Sequence, residues 1–476
     1  MTSEKLHILH TNDIHSHFQQ MPYIAGGIRK LKKECEDKGE AVVIVDLGDH
    51  ADRMSPLTEG TWGQANVRVM NATGYELASI GNNEGLTFPK SKLLSFYNEA
   101  DFQVLCANVT DADTQEIPPF MKPYVIKTVG NIKVGWISAT AAFPVYGLLG
   151  WNVHDPLQTI QQLVQALRKQ VDIVVVLSHT GFNSDQRLAQ EVRGIDLIIG
   201  AHTHDLLETG IRVKDTFIIQ AGKFGQYLGH TTIQFEKKTR QIINIKGNCL
   251  PVHTFDPAPD IEELIEQQQQ IAHEVLSPSI TTLDHDFPID WNSESPLGNL
   301  LAEGIRDWVG SDISMVNAGQ LLFSLPKGAV TRKDLLALCP HPINPCRLEI
   351  KGRHIRGILE ESLTEKSIHR QIRGLGFRGK VLGWLCVDGM TLHYDLNKVE
   401  GARLGQVFIH NQPLDEEKTY SVGTIDMFTF GFIFPQFREA EHIDYFLPEF
   451  IRDVLAKELQ SHDALKRSSK PRWIHA

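Results

Sequence analysis

The feature that most constrains this 476-residue chain is a pattern repeated through its first half, in which a short run rich in Val and Ile stops at a polar or glycine-bearing cluster. Leu6–Leu9, Ala41–Val45, Leu77–Ile80, Phe102–Cys106, Lys133–Ile137, Ile173–Leu177 and Ile195–Ile199 all read this way. Runs this short and apolar predict buried strands, and the longer amphipathic segments between them predict helices, which together make a layered α/β fold. Pro156 to Gln170 is the clearest helix, with Leu157, Ile160, Leu163, Val164 and Leu167 at helical spacing.

Pro251, Pro257 and Pro259 mark a boundary. A linking helix is predicted over 256–277, with Asp260 as its N-cap and the Gln267–Gln270 tract on a solvated face. Beyond Pro278, a helix from Ser295 to Trp308, short strands and frequent Gly and Pro turns predict a smaller α+β domain over 278–476. The first domain then spans 1–255. Lys466-Arg467-Ser468-Ser469-Lys470 reads as a loose polar end.

The chemistry-bearing residues follow the strands. Thr11-Asn12-Asp13-Ile14-His15, Gly48-Asp49, Gly81-Asn82-Asn83-Glu84, Ser178-His179 and Gly200-Ala201-His202-Thr203-His204 each leave the end of a predicted strand. In a parallel or mixed sheet those ends lie together, so residues distant in sequence converge on one crevice. Asp13, His15, Asp49, Asn82, His179, His202 and His204 offer imidazoles, carboxylates and one amide carbonyl, a donor set suited to Mn²⁺, Zn²⁺ or Fe²⁺. Two ions sharing a carboxylate would use so many donors, and such a pair can activate water for in-line displacement at phosphorus. His7 and His10, inside the first strand, read as packed residues, and His17 as support for His15.

The ordered segments LHTNDIHSH, DLGD, GNNE, LSHTG and GAHTH resemble the calcineurin-like metallophosphoesterases, in particular the 5'-nucleotidase family with its UDP-sugar hydrolases and 2',3'-cyclic phosphodiesterases. In the second half, SPLGNLLAEGIRDWVGSDISMVNAG and GRHIRGILEESL are similar to that family's C-terminal substrate domain. The resemblance implies a four-layer αββα catalytic domain, two divalent ions and hydrolysis by a hydroxide bridging them. It also implies that Asp13, His15, Asp49 and His204 hold one ion and Asp49, Asn82, His179 and His202 the other, with Asp49 as the bridge.

Departures from the family pattern redirect the expected chemistry. Asn83 stands where the family has a histidine, and Leu86 where it has an acidic partner. Asn83 can donate a hydrogen bond to a phosphoryl oxygen but cannot deliver a proton, which predicts a preference for good leaving groups. Glu84 reads as a helix-start carboxylate. Asn317-Ala318-Gly319-Gln320-Leu321-Leu322 lacks the family's arginine, and Arg347, Arg353, Arg356, Arg373 and Arg378 are the cations left to meet an anion. Trp384 and Phe430 are the candidates to stack on a base. Phe428, Phe430, Phe432 and Phe434 alternate as in a strand, which would place one face in the core.

A formal net charge of -11 without a basic stripe excludes a nucleic-acid polymer as the main partner, leaving a small phosphate ester or nucleotide. The six cysteines form no CxxC and no disulfide framework. With no signal-like stretch and no apolar run near the ~20 residues of a membrane span, the expectation is a cytoplasmic protein without a membrane partner. The alternative to an enzyme is a ligand-binding or regulatory protein that keeps the metal site but turns over little, because Asn83, Leu86 and Leu322 remove the acid and part of the substrate grip.

Overall fold

Two mixed sheets pack face to face to form the first unit of the computed structural model, which describes residues 3–476. The first sheet runs in the order Gln241–Pro251, Tyr227–Glu236, Ser3–Thr11, Ala41–Asp46, Leu77–Ser79, Gln103–Leu105 and Met121–Lys122. The second runs Ile211–Val213, Thr216–Ile219, Leu197–Gly200, Ile173–His179, Ile132–Thr140 and Tyr124–Val129. Each predicted apolar run lies in or overlaps one of these strands. Leu6, Ile8, Val43 and Val45 from one sheet meet Trp136, Val175, Leu177 and Ile199 from the other, and that interface is the central core.

Period-2 alternation explains the outer layers. Val174, Val176 and Ile198 point away from the central core and pack on Ile160, Val164 and Leu167 of the helix Pro156–Leu167 and on Leu188 of the helix Phe182–Glu191. The first of these helices starts cleanly because the Asp155 carboxylate accepts from the Gln158 amide at 2.8 Å. Its three buried apolar side chains contribute about 1.5–3 kcal/mol each. On the other face, the helix Met21–Glu36 buries Ile24, Ala25 and Ile28 beside Ala41–Asp46. The order is helix, sheet, sheet, helix. Ile173–His179 is buried along its whole length, as a strand covered on both faces must be.

The chain divides at Val275 and Leu276. The proline-marked segment is a helix, Pro259–Leu276, all but its last residue in the first unit. Asp260 lies inside its first turn and not at the N-cap, its carboxylate taken by a two-pronged pair with Arg29 at 2.6 and 2.7 Å. The second unit is built on a five-stranded sheet ordered Leu385–Asp388, Ile313–Asn317, Thr419–Ile425, Pro345–Lys351 and His442–Tyr445. The helix Pro296–Val309 buries Leu297, Leu300, Leu301 and Ile305 in that unit's core.

The second unit corrects three expectations. The polar end is ordered: His462–Ser468 is a helix and Trp473–His475 a strand, joined by Arg472, whose buried guanidinium pairs with Asp388 and Glu303. Trp384 is core and not a stacking platform, 1% exposed and enclosed by Tyr394 and Trp473 at ring separations of 5.7 and 5.1 Å. The phenylalanine series is not a strand. A helical turn, Asp426–Thr429, and the left-handed Gly431 (φ 64°) send Phe428 and Phe434 inward and leave Phe430 and Phe432 outside. In a strand all four would share one face.

Candidate metal centre

Backbone pairing continues past the strand ends and assembles the site. The amides of Asp13, His15 and Ser16 donate to the carbonyls of Gly48, Asp49 and His50, so the two loops after the first parallel strand pair are zipped together. Gly48 adopts φ 88°, and a β-carbon there would fall 2.3 Å from the Gly81 nitrogen. A β-carbon on Gly81 would fall 2.0 Å from Asp49 Oδ1. Only glycine lets these loops touch. Asp13, His15, Asp49, His202 and His204 all sit at positive φ, between 47° and 75°. Side-chain-bearing residues adopt that conformation at a cost of about 1–3 kcal/mol each, and here it turns the side chains into a common crevice.

The structure brings all seven expected ligands together. Asp13, His15 and His204 form one cluster, and Asp13, Asp49 and His179 another. Nε2 of His15 lies 3.1 Å from Nε2 of His204, and Asp13 Oδ1 lies 3.5 Å from the latter. Asp49 straddles both groups, with Oδ1 3.4 Å from His179 Nε2 and Oδ2 3.7 Å from His15 Nε2. Asn82 Oδ1 sits between His202 Nδ1 at 2.7 Å and His179 Nε2 at 3.3 Å. Asp13 therefore reaches both clusters as Asp49 does, whereas the sequence reading gave it to one.

These separations fit divalent ions. Donors at ~2.0–2.2 Å around a tetrahedral centre stand about 3.3 Å from one another. The His179 tautomer fits as well: its Nδ1 donates to the Leu47 carbonyl at 2.7 Å, which in the neutral ring leaves the Nε2 lone pair facing Asp49 and Asn82. Burial pushes Asp13 up to about 6, the opposing charge of His179 notwithstanding. Burial favours neutral His179, but the Asp49 and Asp13 carboxylates outweigh it and lift that imidazole to about 10. His202 and His204 are held down at about 4, by burial first and by neighbouring imidazoles second.

Asn83 is the principal surprise. Its side-chain amide is turned to Nδ1 of His15 at 2.7 Å, and its backbone amide donates to Asp49 Oδ1 at 2.7 Å. The side-chain amide thus meets His15, one of the expected ligands, and its second N–H and its oxygen remain for other partners. Glu84 is a structural clamp: its buried carboxylate accepts from the amides of Asp49, Ala51 and Gly81. His17 stacks on Phe224 at 4.1 Å, and Phe224 also packs edge-on against His15.

Several contributors escaped the sequence reading. Asp52 places Oδ2 3.5 Å from His15 Nδ1, and Asn12 fixes Asp13 by donating to Oδ2 at 2.7 Å. Their signal was adjacency to a ligand loop, which polar residues share too widely to be diagnostic. Arg347, Arg353 and Arg356 are paired with Asp444, Glu417 and Glu416. Phe430 and Phe432 are 51% and 60% exposed, with rings 6.5 Å apart and 27° from parallel, and the Arg438 guanidinium lies over the Phe432 ring at 5.7 Å.

Fold and site together define a metal-dependent phosphoesterase. Residues 6–206 match the calcineurin-like phosphoesterase model, and residues 279–433 match the 5'-nucleotidase C-terminal domain. The chain is 36% identical, over 96% of its own length and 99% of the other's, to an uncharacterized metallophosphoesterase, YunD, of Bacillus subtilis. It is 26% identical to a snake venom 5'-nucleotidase of Gloydius brevicauda, over 88% of this chain and 80% of that one. The fold is shared with the Haemophilus influenzae NAD nucleotidase, at TM-score 0.68 and 18% identity across 100% and 98% of the two chains. It is also shared with a 5'-nucleotidase precursor of Thermus thermophilus, at TM-score 0.60 and 22% identity across 99% of each. The chain belongs to the calcineurin-like metallophosphoesterases that carry a 5'-nucleotidase-type C-terminal domain, and it is a hydrolase. Phosphoesterases of this class use divalent metal ions.

Proposed function

We propose that the protein hydrolyses small phosphate or diphosphate esters, nucleotides among them, with two divalent ions of the Mn²⁺, Zn²⁺ or Fe²⁺ class. The observation that carries this reading is the pair of buried His/Asp clusters joined through Asp13 and Asp49 at the ends of separate strands. When bound, such ions supply Lewis-acid charge to phosphoryl oxygens and bring the ionisation of water near neutrality.

The chain's own residues set the conditions. Asp13, His15 and His204 would hold one ion and His179, Asn82 and His202 the other, with Asp49 shared between them and Asp13 within reach of both. Asn83 and Asp52 hold the His15 ring, and Asn12 holds Asp13. Nothing at position 83 or 86 can deliver a proton to a leaving group, so the reaction depends on how readily that group departs unprotonated. This favours diphosphates and aryl esters over alkyl monoesters. Phe430 and Phe432 supply flat apolar faces suited to a base. A cytoplasmic setting accords with the sparse, unpaired cysteines. Among the described residues, no helix is long and apolar enough to cross a membrane.

The experiment is a panel of bis-aryl phosphate, aryl phosphate, mononucleotides, cyclic nucleotides, nucleotide sugars and dinucleoside polyphosphates, run with several metals. Wild type should turn over the activated esters fastest. Equal background rates for wild type and Asp49→Asn across the whole panel would defeat the proposal.

A further inference from the structure

Six positions ahead of Asp13 in the chain, the first strand carries a second cluster of metal-ligating side chains that the phosphoesterase chemistry does not use. His7 sits on Ser3–Thr11, Cys35 in the last turn of the helix Met21–Glu36, and His230 on the antiparallel neighbour Tyr227–Glu236. The register pairs His7 with Thr232 and Leu9 with His230, so the two imidazoles are diagonal neighbours on one face of the sheet. That face is the one the helix covers. One donor atom from each of the three residues lies within 4.8 Å of the others. At ~3.3 Å per residue, His7 is about 13 Å back along the strand from Thr11, where the loop bearing Asp13 begins.

We propose that His7, Cys35 and His230 form a three-donor Zn²⁺ site, its fourth position open to water, separate from the catalytic centre. The first argument is orientation. Glu40 Oε2 accepts from His7 Nε2 at 3.0 Å, which fixes the ring's proton on Nε2 and leaves the Nδ1 lone pair facing His230 Nε2 at 2.9 Å. A carboxylate behind an imidazole that presents its other nitrogen is the arrangement that orients histidine ligands at metal sites. Lys5 holds the second oxygen of that carboxylate at 2.8 Å and so keeps Glu40 ionised. The second argument is donor chemistry. One sulfur and two imidazole nitrogens suit Zn²⁺ and reject Mg²⁺ or Mn²⁺. The two nitrogens need to part by only a few tenths of an ångström to reach the ~3.3 Å expected around a tetrahedral ion. The Thr232 hydroxyl, 3.2 Å from His7 Nδ1, stands beside the cluster.

Binding releases the Cys35 thiol proton to solvent and leaves His230 protonated on Nδ1, so that its Nε2 lone pair is free. Lys38, Glu34, Lys5 and Glu40 are the charged groups that face the cluster. An ion here would tie the helix to two strands of the sheet that carries Asp13 and His15.

The test is Co²⁺ titration of chelator-stripped full-length protein, with Co²⁺ as the spectroscopic stand-in for Zn²⁺. The catalytic cluster has no thiol, so a near-ultraviolet thiolate-to-Co²⁺ charge-transfer band reports on this site alone. The band should reach its maximum by three equivalents, two of them filling the proposed catalytic pair, and added Zn²⁺ should quench it. Cys35→Ser should lack the band and retain one Zn²⁺ fewer than wild type, while keeping its metal-dependent aryl phosphatase rate within about twofold. His230→Gln should weaken Zn²⁺ retention at least tenfold. A wild-type protein with no thiolate band, or a band that survives in Cys35→Ser, would overturn the site. The wild-type titration decides the matter even where a variant fails to fold, and neither the thiolate band nor the metal retention depends on the proposed substrate.

Discussion

The side-chain amide of Asn83 lies 2.7 Å from Nδ1 of His15, across the imidazole from the Nε2 that faces His204. Ligation through Nε2 requires the proton on Nδ1, where Asp52 Oδ2 at 3.5 Å or the Asn83 amide oxygen, with the amide turned over, can accept it. Both residues would therefore act on a bound ion through His15. Asn83→Ala and Asp52→Ala should each lower metal affinity about 10–100-fold while leaving KM at saturating metal nearly unchanged. Metal titration of activity checks this, and a variant whose KM rises at unchanged metal affinity would return Asn83 to the substrate.

Restoring the imidazole probes the leaving-group argument. Asn83→His should gain more on alkyl monoesters than on aryl esters, because only poor leaving groups need a proton. Parallel kcat/KM measurements on the two classes decide the point, and equal gains on both would reject it.

Gly81 tolerates no side chain, since a β-carbon would lie 2.0 Å from Asp49 Oδ1. Gly81→Ala should displace the Asp49 carboxylate, reduce turnover by about two orders of magnitude and cost about 1–3 kcal/mol of stability. Thermal melting and kinetics on the same preparation check both effects.

The two aromatic candidates should separate cleanly. Trp384→Ala should destabilise the second unit by about 3–5 kcal/mol, as loss of a buried indole does. Phe430→Ala should leave the melting temperature within about 1 °C and raise KM for nucleotides by about one order of magnitude. An unchanged KM would remove Phe430 from the substrate site.

Acid sensitivity should trace in part to His10, a fully buried ring with neither nitrogen hydrogen-bonded. Burial holds its pKa at about 3, against 6.5 for a free imidazole. Below pH 6.5 the unfolded chain takes up a proton that the folded chain refuses, so stability falls as the pH drops from 6.5 toward 3. By pH 5 this amounts to about 2 kcal/mol. Denaturant titrations at pH 7 and pH 5 should show His10→Leu losing that much less than wild type between the two conditions. Identical losses would refute the assignment.

By itself, the sequence determined the layered fold and the seven residues that meet in its crevice, because both are written in local patterns. Apolar runs bury themselves as strands, and each polar cluster leaves a strand end at a fixed place, so a parallel or mixed sheet gathers them without knowledge of any loop. Tertiary structure alone decided the target of the Asn83 amide, the burial of Trp384, the ordering of the C-terminal end by Arg472 and the meeting of His7, Cys35 and His230. Those outcomes depend on contacts between residues tens to hundreds of positions apart. A side chain's neighbours across such a gap are set by packing and register, which local spacing does not encode.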